Sequence, residues 1–153
     1  MKIGIANDHS SVELKQELVS YLTEKGYEVV NYGTDSTESF DYPIAGEKIA
    51  KAIVNKEVDL GIGICGTGIG IGLAANKVNG IRCAMVSEAF GARMARTHNN
   101  AQMISIGSRV LGVEEAKLIV DEFLNAEFEE GGRHSRRVSM IMDIEKREKN
   151  LND

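Results

Sequence analysis

Apolar positions along this chain keep two alternating rhythms. Ile3–Ala6 form a short β-rich run, and Val12, Leu14, Leu18, Val19 and Leu22 then recur at helical spacing until Gly26. Ser10 with Glu13 has the spacing of a capping box at the start of that helix. A second strand pattern covers Tyr27–Asn31, and a polar loop occupies 32–42. Pro43, the only proline, stands where a helix can begin, and that helix carries Ile44, Ile49, Ala52 and Ile53. The alternation continues with a strand over Val58–Ile64 and a helix of small residues from Ile69 to Val78. A strand over Ile81–Val86 follows, then a helix capped by Ser87 and running through Ala95. The pattern closes with a strand at Met103–Ile106 and a helix at Glu114–Leu124. Strands that alternate with helices predict βαβ units, and continuous apolar strands suit a parallel sheet covered on both faces.

The tail departs from this rhythm. Glu129-Glu130-Gly131-Gly132 leads into Arg133-His134-Ser135-Arg136-Arg137, and a last helical period on Val138, Ile141 and Ile144 precedes a charged end. That helix has a narrow apolar stripe and arrives after the sheet is complete. It can pack on its own domain or on a second subunit, and the pattern leaves both open. No repeat, low-complexity tract or linker interrupts the chain. The fold class expected is α/β: a Rossmann-like three-layer α/β/α domain over 1–153, with a five-stranded parallel sheet and an extra C-terminal helix.

Bulk composition narrows the function classes. With 153 residues, 42% hydrophobic and 27% charged, the chain has the size and balance of one globular domain. A net charge of −5 argues against a general nucleic-acid binder, yet a few local arginines suffice for a small anion. Two cysteines form no disulfide framework, and no stretch reads as a signal peptide or membrane span, so a cytoplasmic setting is expected.

The candidate chemistry concentrates where strands end, which is where open α/β sheets bind ligands. Asn7, Asp8 and His9 follow the first strand, and Asp41 lies in the loop after the second. Cys65, Gly66, Thr67, Gly68 and Gly70 follow the third, Ser87 and Glu88 the fourth, and Gly107, Ser108 and Arg109 the fifth. Residues 58–72 are the most informative, because an apolar strand runs into alternating glycines with Cys65 at the join. Such a turn offers backbone N–H groups to an anion at a helix mouth, and the same positive end favours a thiolate.

Each of these residues also has a plainer reading. Cys65 can be a small buried hydrophobe, and for Cys83, inside the fourth strand, that reading dominates. His98 can close a helix C-terminus, His9 can pair with Asp8, and the tail arginines can form a solvated face. Of the three histidines, His9 and His134 are expected at strand-end or loop positions. No close His/Cys pair has zinc-site spacing, so no metal is expected. Gly61, Gly63 and Gly66 match G-x-G-x-x-G, with Glu88 near the acidic position, but the first two glycines fall inside the strand, out of register for a dinucleotide.

Asp8-His9, Ile64 through Gly70, and Gly132-Arg133-His134 with Arg137 together resemble the ribose-5-phosphate isomerase type B family. Asp41-Tyr42-Pro43, Ala74-Ala75-Asn76-Lys77, Arg93 to His98-Asn99 and Gly107-Ser108-Arg109 fit the same pattern across nearly the whole chain. The family includes galactose-6-phosphate isomerase subunits, whose tails lack the full Gly-Arg-His pattern. The resemblance implies interconversion of ribose 5-phosphate and ribulose 5-phosphate with neither cofactor nor metal. It makes Cys65 the base, His98 the ring opener, Thr67 a group for proton traffic and Gly66, Thr67, Gly68, Ile69 and Gly70 the anion hole. Asp8, His9, Asn99, Arg109, Arg133 and Arg137 become substrate contacts, His9 and the arginines facing phosphate. It implies sites between subunits of a homodimer or a dimer of dimers, with residues 127–153 as an arm packing on the partner. A six-carbon aldose 6-phosphate isomerase, for allose or galactose, and a non-catalytic nucleotide- or phosphate-binding module are the alternatives.

Overall fold

The computed structural model describes residues 1–152. Five parallel strands form one sheet: β1 (Lys2–Asn7), β2 (Glu28–Asn31), β3 (Leu60–Cys65), β4 (Cys83–Met85) and β5 (Met103–Gly107), in the order β2-β1-β3-β5-β4. The helices are α1 (Val12–Glu24), α2 (Tyr42–Val54), α3 (Ile69–Asn76), α4 (Ala89–Thr97), α5 (Val113–Asn125) and α6 (Gly132–Asn152). The expected α/β class and five-stranded parallel sheet are therefore present.

Strand alternation decides which helices cover which face. Ile3 and Ile5, Leu60, Ile62 and Ile64, and Ile104 and Ile106 point to one side, where α1, α4 and α5 bury Leu18, Ala92 and Phe123 against them. The other side carries Ala6, Cys65 and Met103 beneath α2 and α3, which supply Ile49, Ile53, Ile71 and Ala75. Each fully buried aliphatic side chain is worth about 1.5–3 kcal/mol relative to exposure, so both faces hold the sheet. Gly61 and Gly63 belong to that second face. A Cβ on Gly61 would stand 2.7 Å from Ile53 Cδ1, and one on Gly63 2.7 Å from Met103 Cε. Gly61 lets α2 close on the sheet and Gly63 makes room for Met103 of the neighbouring strand, which explains the dinucleotide-like spacing without a dinucleotide.

Local details differ from the sequence pattern at three places. The capping box of Ser10 and Glu13 does not form, because a 3₁₀ turn at His9–Ser11 precedes α1 and Asp8 caps it by accepting from the Ser10 N–H at 3.0 Å. Glu88 caps α4 in place of Ser87, accepting from the Gly91 N–H at 2.7 Å. His134, expected in a loop, lies in the first turn of α6 and is buried. The loop expectation failed there because the positive-φ turn at glycines 131 and 132 leads straight into α6, which starts at Gly132, two residues before His134.

Candidate active site

Sheet order reverses between β1 and β3, since the chain moves outward from β1 to β2 and then returns past β1. The carboxyl ends of those two strands open the crevice where ligands bind in such sheets. Asp8 follows β1 there, and its N–H donates to the Ile64 carbonyl at 3.2 Å, tying it beside the end of β3. Asp8 Oδ1 also accepts from Ser10 Oγ at 2.6 Å. His9 is half-buried, and its Nδ1 accepts from the Phe40 N–H at 3.0 Å. In a neutral ring that acceptor role leaves the proton on Nε2.

Cys65 ends β3 and is buried. The Gly68 N–H donates to its Sγ at 3.2 Å, so the sulfur sits against the positive end of the turn that starts α3. Only a glycine fits at 68, where φ is +79° and a Cβ would stand 2.7 Å from the Ile106 carbonyl carbon. Gly107 plays the reciprocal part, since its Cβ would meet the Thr67 backbone at 2.7 Å. The turn thus lies flat on β5, fixed by Ser105 Oγ donating to the Gly68 carbonyl at 2.7 Å. Ser108 and Arg109 donate through their N–H groups to the Cys65 and Gly66 carbonyls at 2.9 and 3.0 Å. That brings the exposed Arg109 side chain alongside Gly66. Thr67 and Ile69 face outward at the same mouth. Tyr42, the first residue of α2, packs over Gly70, where a Cβ would lie 2.6 Å from the ring. The sequence pattern contained Tyr42 but gave no spacing signal that would set its ring against the turn.

Cys83 offers no second nucleophile. Burial pushes its thiol up to about 12.

A second cluster forms at the other edge of the sheet. His98 caps the C-terminus of α4, its N–H donating to the Met94 carbonyl at 2.8 Å. The His134 ring stacks on the His98 ring with centroids 4.0 Å apart and planes 7° from parallel. Arg82 donates to the carbonyls of Asn99 and Asn100 at 3.0 and 2.8 Å, and Arg96 to the Ala101 carbonyl at 2.8 Å, so two half-buried guanidiniums shape the turn carrying His98 and Asn99. Arg133 and Arg137 project from the first turns of α6, both exposed. Burial, then the neighbouring His98, with smaller contributions from Arg133 and Arg137, holds His134 below the usual imidazole value; Glu129 opposes them. His98, Glu129 and His134 place ligand-type atoms within 4.8 Å of one another. Imidazole lone pairs lie in the ring plane, and these two planes run parallel with centroids 4.0 Å apart, which does not suit convergence on one tetrahedral ion.

The two clusters do not meet in one chain. Cys65 pairs with Gly107 at the end of β5, whereas His98 lies five residues before Met103, where β5 begins. Four strand residues separate these levels, on the order of 13 Å along the sheet. Asp8, His9, Cys65 through Gly70 and Arg109 therefore belong to one group of candidate residues, and His98, Asn99, Arg133 and Arg137 to another. His98 thus goes with the tail, away from the cysteine.

A parallel sheet covered on both faces, with a thiol held by a backbone N–H at a helix mouth, defines a three-layer α/β protein with an anion-ready turn. Residues 3–141 match the model of the Ribose/Galactose Isomerase family, and the chain belongs to that family. It is 49% identical over 146 residues to ribose-5-phosphate isomerase B of Escherichia coli, covering 95% of this chain and 97% of that one. It is 43% identical over 150 residues to D-erythrulose-4-phosphate isomerase of Pectobacterium atrosepticum, covering 97% and 98%. Among solved structures, Clostridium thermocellum ribose-5-phosphate isomerase B superposes with a TM-score of 0.93 at 51% identity, covering 96% of this chain and 99% of that one. Ribose-5-phosphate isomerase B from Mycoplasma genitalium, with bound ribulose-5-phosphate, gives 0.88 at 42% identity, covering 95% and 96%.

Proposed function

We propose that this chain is an aldose–ketose isomerase interconverting ribose 5-phosphate and ribulose 5-phosphate through an enediolate. The observation that carries this reading is the Cys65 sulfur held by the Gly68 N–H at the mouth of the turn, in a chain so close to ribose-5-phosphate isomerase B. A ring-opened aldose bound there loses its C2 proton to the Cys65 thiolate. The C2–H electrons form the C1–C2 double bond, and charge collects on the former carbonyl oxygen. Backbone N–H groups of the Gly66–Gly70 turn not already drawn to Cys65 Sγ and Thr67 Oγ1 serve that oxygen, the kind of preorganised donor that commonly supplies the largest catalytic contribution. Thr67 relays the proton between the two oxygens, and Cys65 returns one to C1. Asp8 holds sugar hydroxyls, and His9 and Arg109 hold the substrate from this half-site.

The other half comes from a second copy. His98 of that copy opens the furanose ring, Asn99 contacts the sugar, and Arg133 and Arg137 grip phosphate, for which a planar guanidinium fork is well shaped. Supporting this assembly, Ile69 and Leu73 on α3 and Phe90 on α4 are 54%, 52% and 62% exposed, an apolar surface suited to burial between copies. The expected arrangement is a homodimer, or a dimer of dimers, with the arm of residues 127–153 serving the neighbour's site. Among the described residues no helix is long and apolar enough to cross a membrane. A cytoplasmic location fits a free thiol base and a soluble metabolite.

The likeness to D-erythrulose-4-phosphate isomerase favours a four-carbon sugar phosphate as the second reading. The test measures kcat/KM for aldose phosphates of four, five and six carbons, with wild type and Cys65→Ala. Ribose 5-phosphate should be preferred, and Cys65→Ala should lose about 10³-fold in kcat while still binding it. A preference for another chain length overturns the substrate, and a fully active alanine variant overturns the base.

A further inference from the structure

Lys15 is fully buried, at 1% exposure, and nothing in the proposed chemistry uses it. A buried ammonium is costly unless its protons are satisfied, so its partners indicate what it holds in place. They lie in the loop between β2 and α2: Nζ donates to the Thr34 carbonyl at 2.8 Å and to Asp35 Oδ1. The Thr34 carbonyl also accepts from Asn7 Nδ2 at 3.0 Å, and the same amide donates to the Asp8 carbonyl at 2.8 Å. One end of the loop is thereby fastened to the segment that carries Asp8 and His9. Its other end presents the Phe40 peptide to His9, with the N–H 3.0 Å and the carbonyl 3.2 Å from Nδ1.

We propose that Lys15 is a positioning residue: its buried ammonium pins the β2–α2 loop, and through Phe40 the loop fixes the place and tautomer of His9. The Phe40 N–H, at 3.0 Å the shorter of the two contacts, pairs with the ring that carries its proton on Nε2, the nitrogen free to donate to a substrate oxygen; a ring with its proton on Nδ1 donates instead to the Phe40 carbonyl at 3.2 Å. A loose loop lets the imidazole turn and exchange tautomers, so phosphate binding weakens while proton transfer at Cys65 continues. This rests on the reading of His9 as a phosphate contact given above.

The test uses Lys15→Met and, because Asp35 is 72% exposed in its side chain and should tolerate change, Asp35→Ala. Both should raise KM for ribose 5-phosphate and the inhibition constant of inorganic phosphate together, by about fivefold for Lys15→Met and less for Asp35→Ala, with kcat within about twofold. Imidazole ¹⁵N spectra should show His9 as the Nε2–H tautomer in wild type and as a mixture in Lys15→Met. Unchanged phosphate inhibition in folded variants together with an unchanged His9 spectrum overturns the clamp. His9→Ala separates the two ideas. If that variant binds phosphate normally, the phosphate role of His9 falls and the clamp stands or falls on the ¹⁵N spectrum. If His9→Ala weakens binding while both loop variants bind and resonate as wild type, the clamp alone falls.

Discussion

His134 shows how one side chain can mean little in sequence and much in the fold. In the chain it is one member of a basic run; in the structure it is buried, stacked on His98, with Nε2 3.5 Å from a Glu129 carboxylate oxygen and no hydrogen-bond partner. Its folded value lies below the ordinary 6.5, chiefly because burial disfavours the charged ring. The unfolded chain therefore binds the extra proton more readily. Stability from a neutral His134 is complete above pH 6.5 and is lost as pH falls through the lowered folded value. Wild type should lose more melting temperature between pH 7 and 5 than His134→Asn; equal losses would show that His134 titration does not matter to folding. Cys65 was legible from its place at the end of an apolar strand. Lys15 was not, because its helical position reads as an ordinary surface charge until the loop folds over it.

At the scale of elements, the turn from β3 into α3 depends on backbone shape more than on any side chain. Gly68→Ala places a Cβ 2.7 Å from the Ile106 backbone at a φ of +79°, so either the turn lifts off β5 or the strand shifts. A left-handed non-glycine residue costs of order 1–3 kcal/mol, and the clash adds to it. The variant should be destabilised by at least about 2 kcal/mol in urea unfolding and should lose most isomerase activity, because the Gly68 N–H no longer meets Cys65 Sγ. Unaltered stability and rate would mean that the turn is not held as described. Glycine alternation made this turn visible in sequence. Asp8 caps the 3₁₀ turn before α1 and Glu88 caps α4, where the pattern pointed to Ser10 and Ser87, because all four have capping chemistry and only the path of the chain selects among them.

At the scale of the molecule, the amino and carboxyl edges of the sheet carry different groups of the candidate residues. Every helix that follows a parallel strand runs back toward the amino edge, so a residue ending α4 cannot reach the end of β3 in its own chain. Cys65→Ala and His98→Asn should each be nearly inactive alone. Unfolded together and refolded as a mixture, they should regain about a quarter of wild-type activity, because half the dimers are mixed and each has one intact site. No recovery from a mixture shown to contain mixed dimers would mean that Cys65 and His98 serve the same chain. The sequence by itself determined the α/β class, the strand count and the cysteine–glycine turn, since these follow from local periodicity, glycine chemistry and short-range spacing. Only the tertiary structure decided which candidates share a site. Strand order and helix direction set distances between segments that no local pattern encodes, and they part Cys65 from His98 and the tail arginines within one chain.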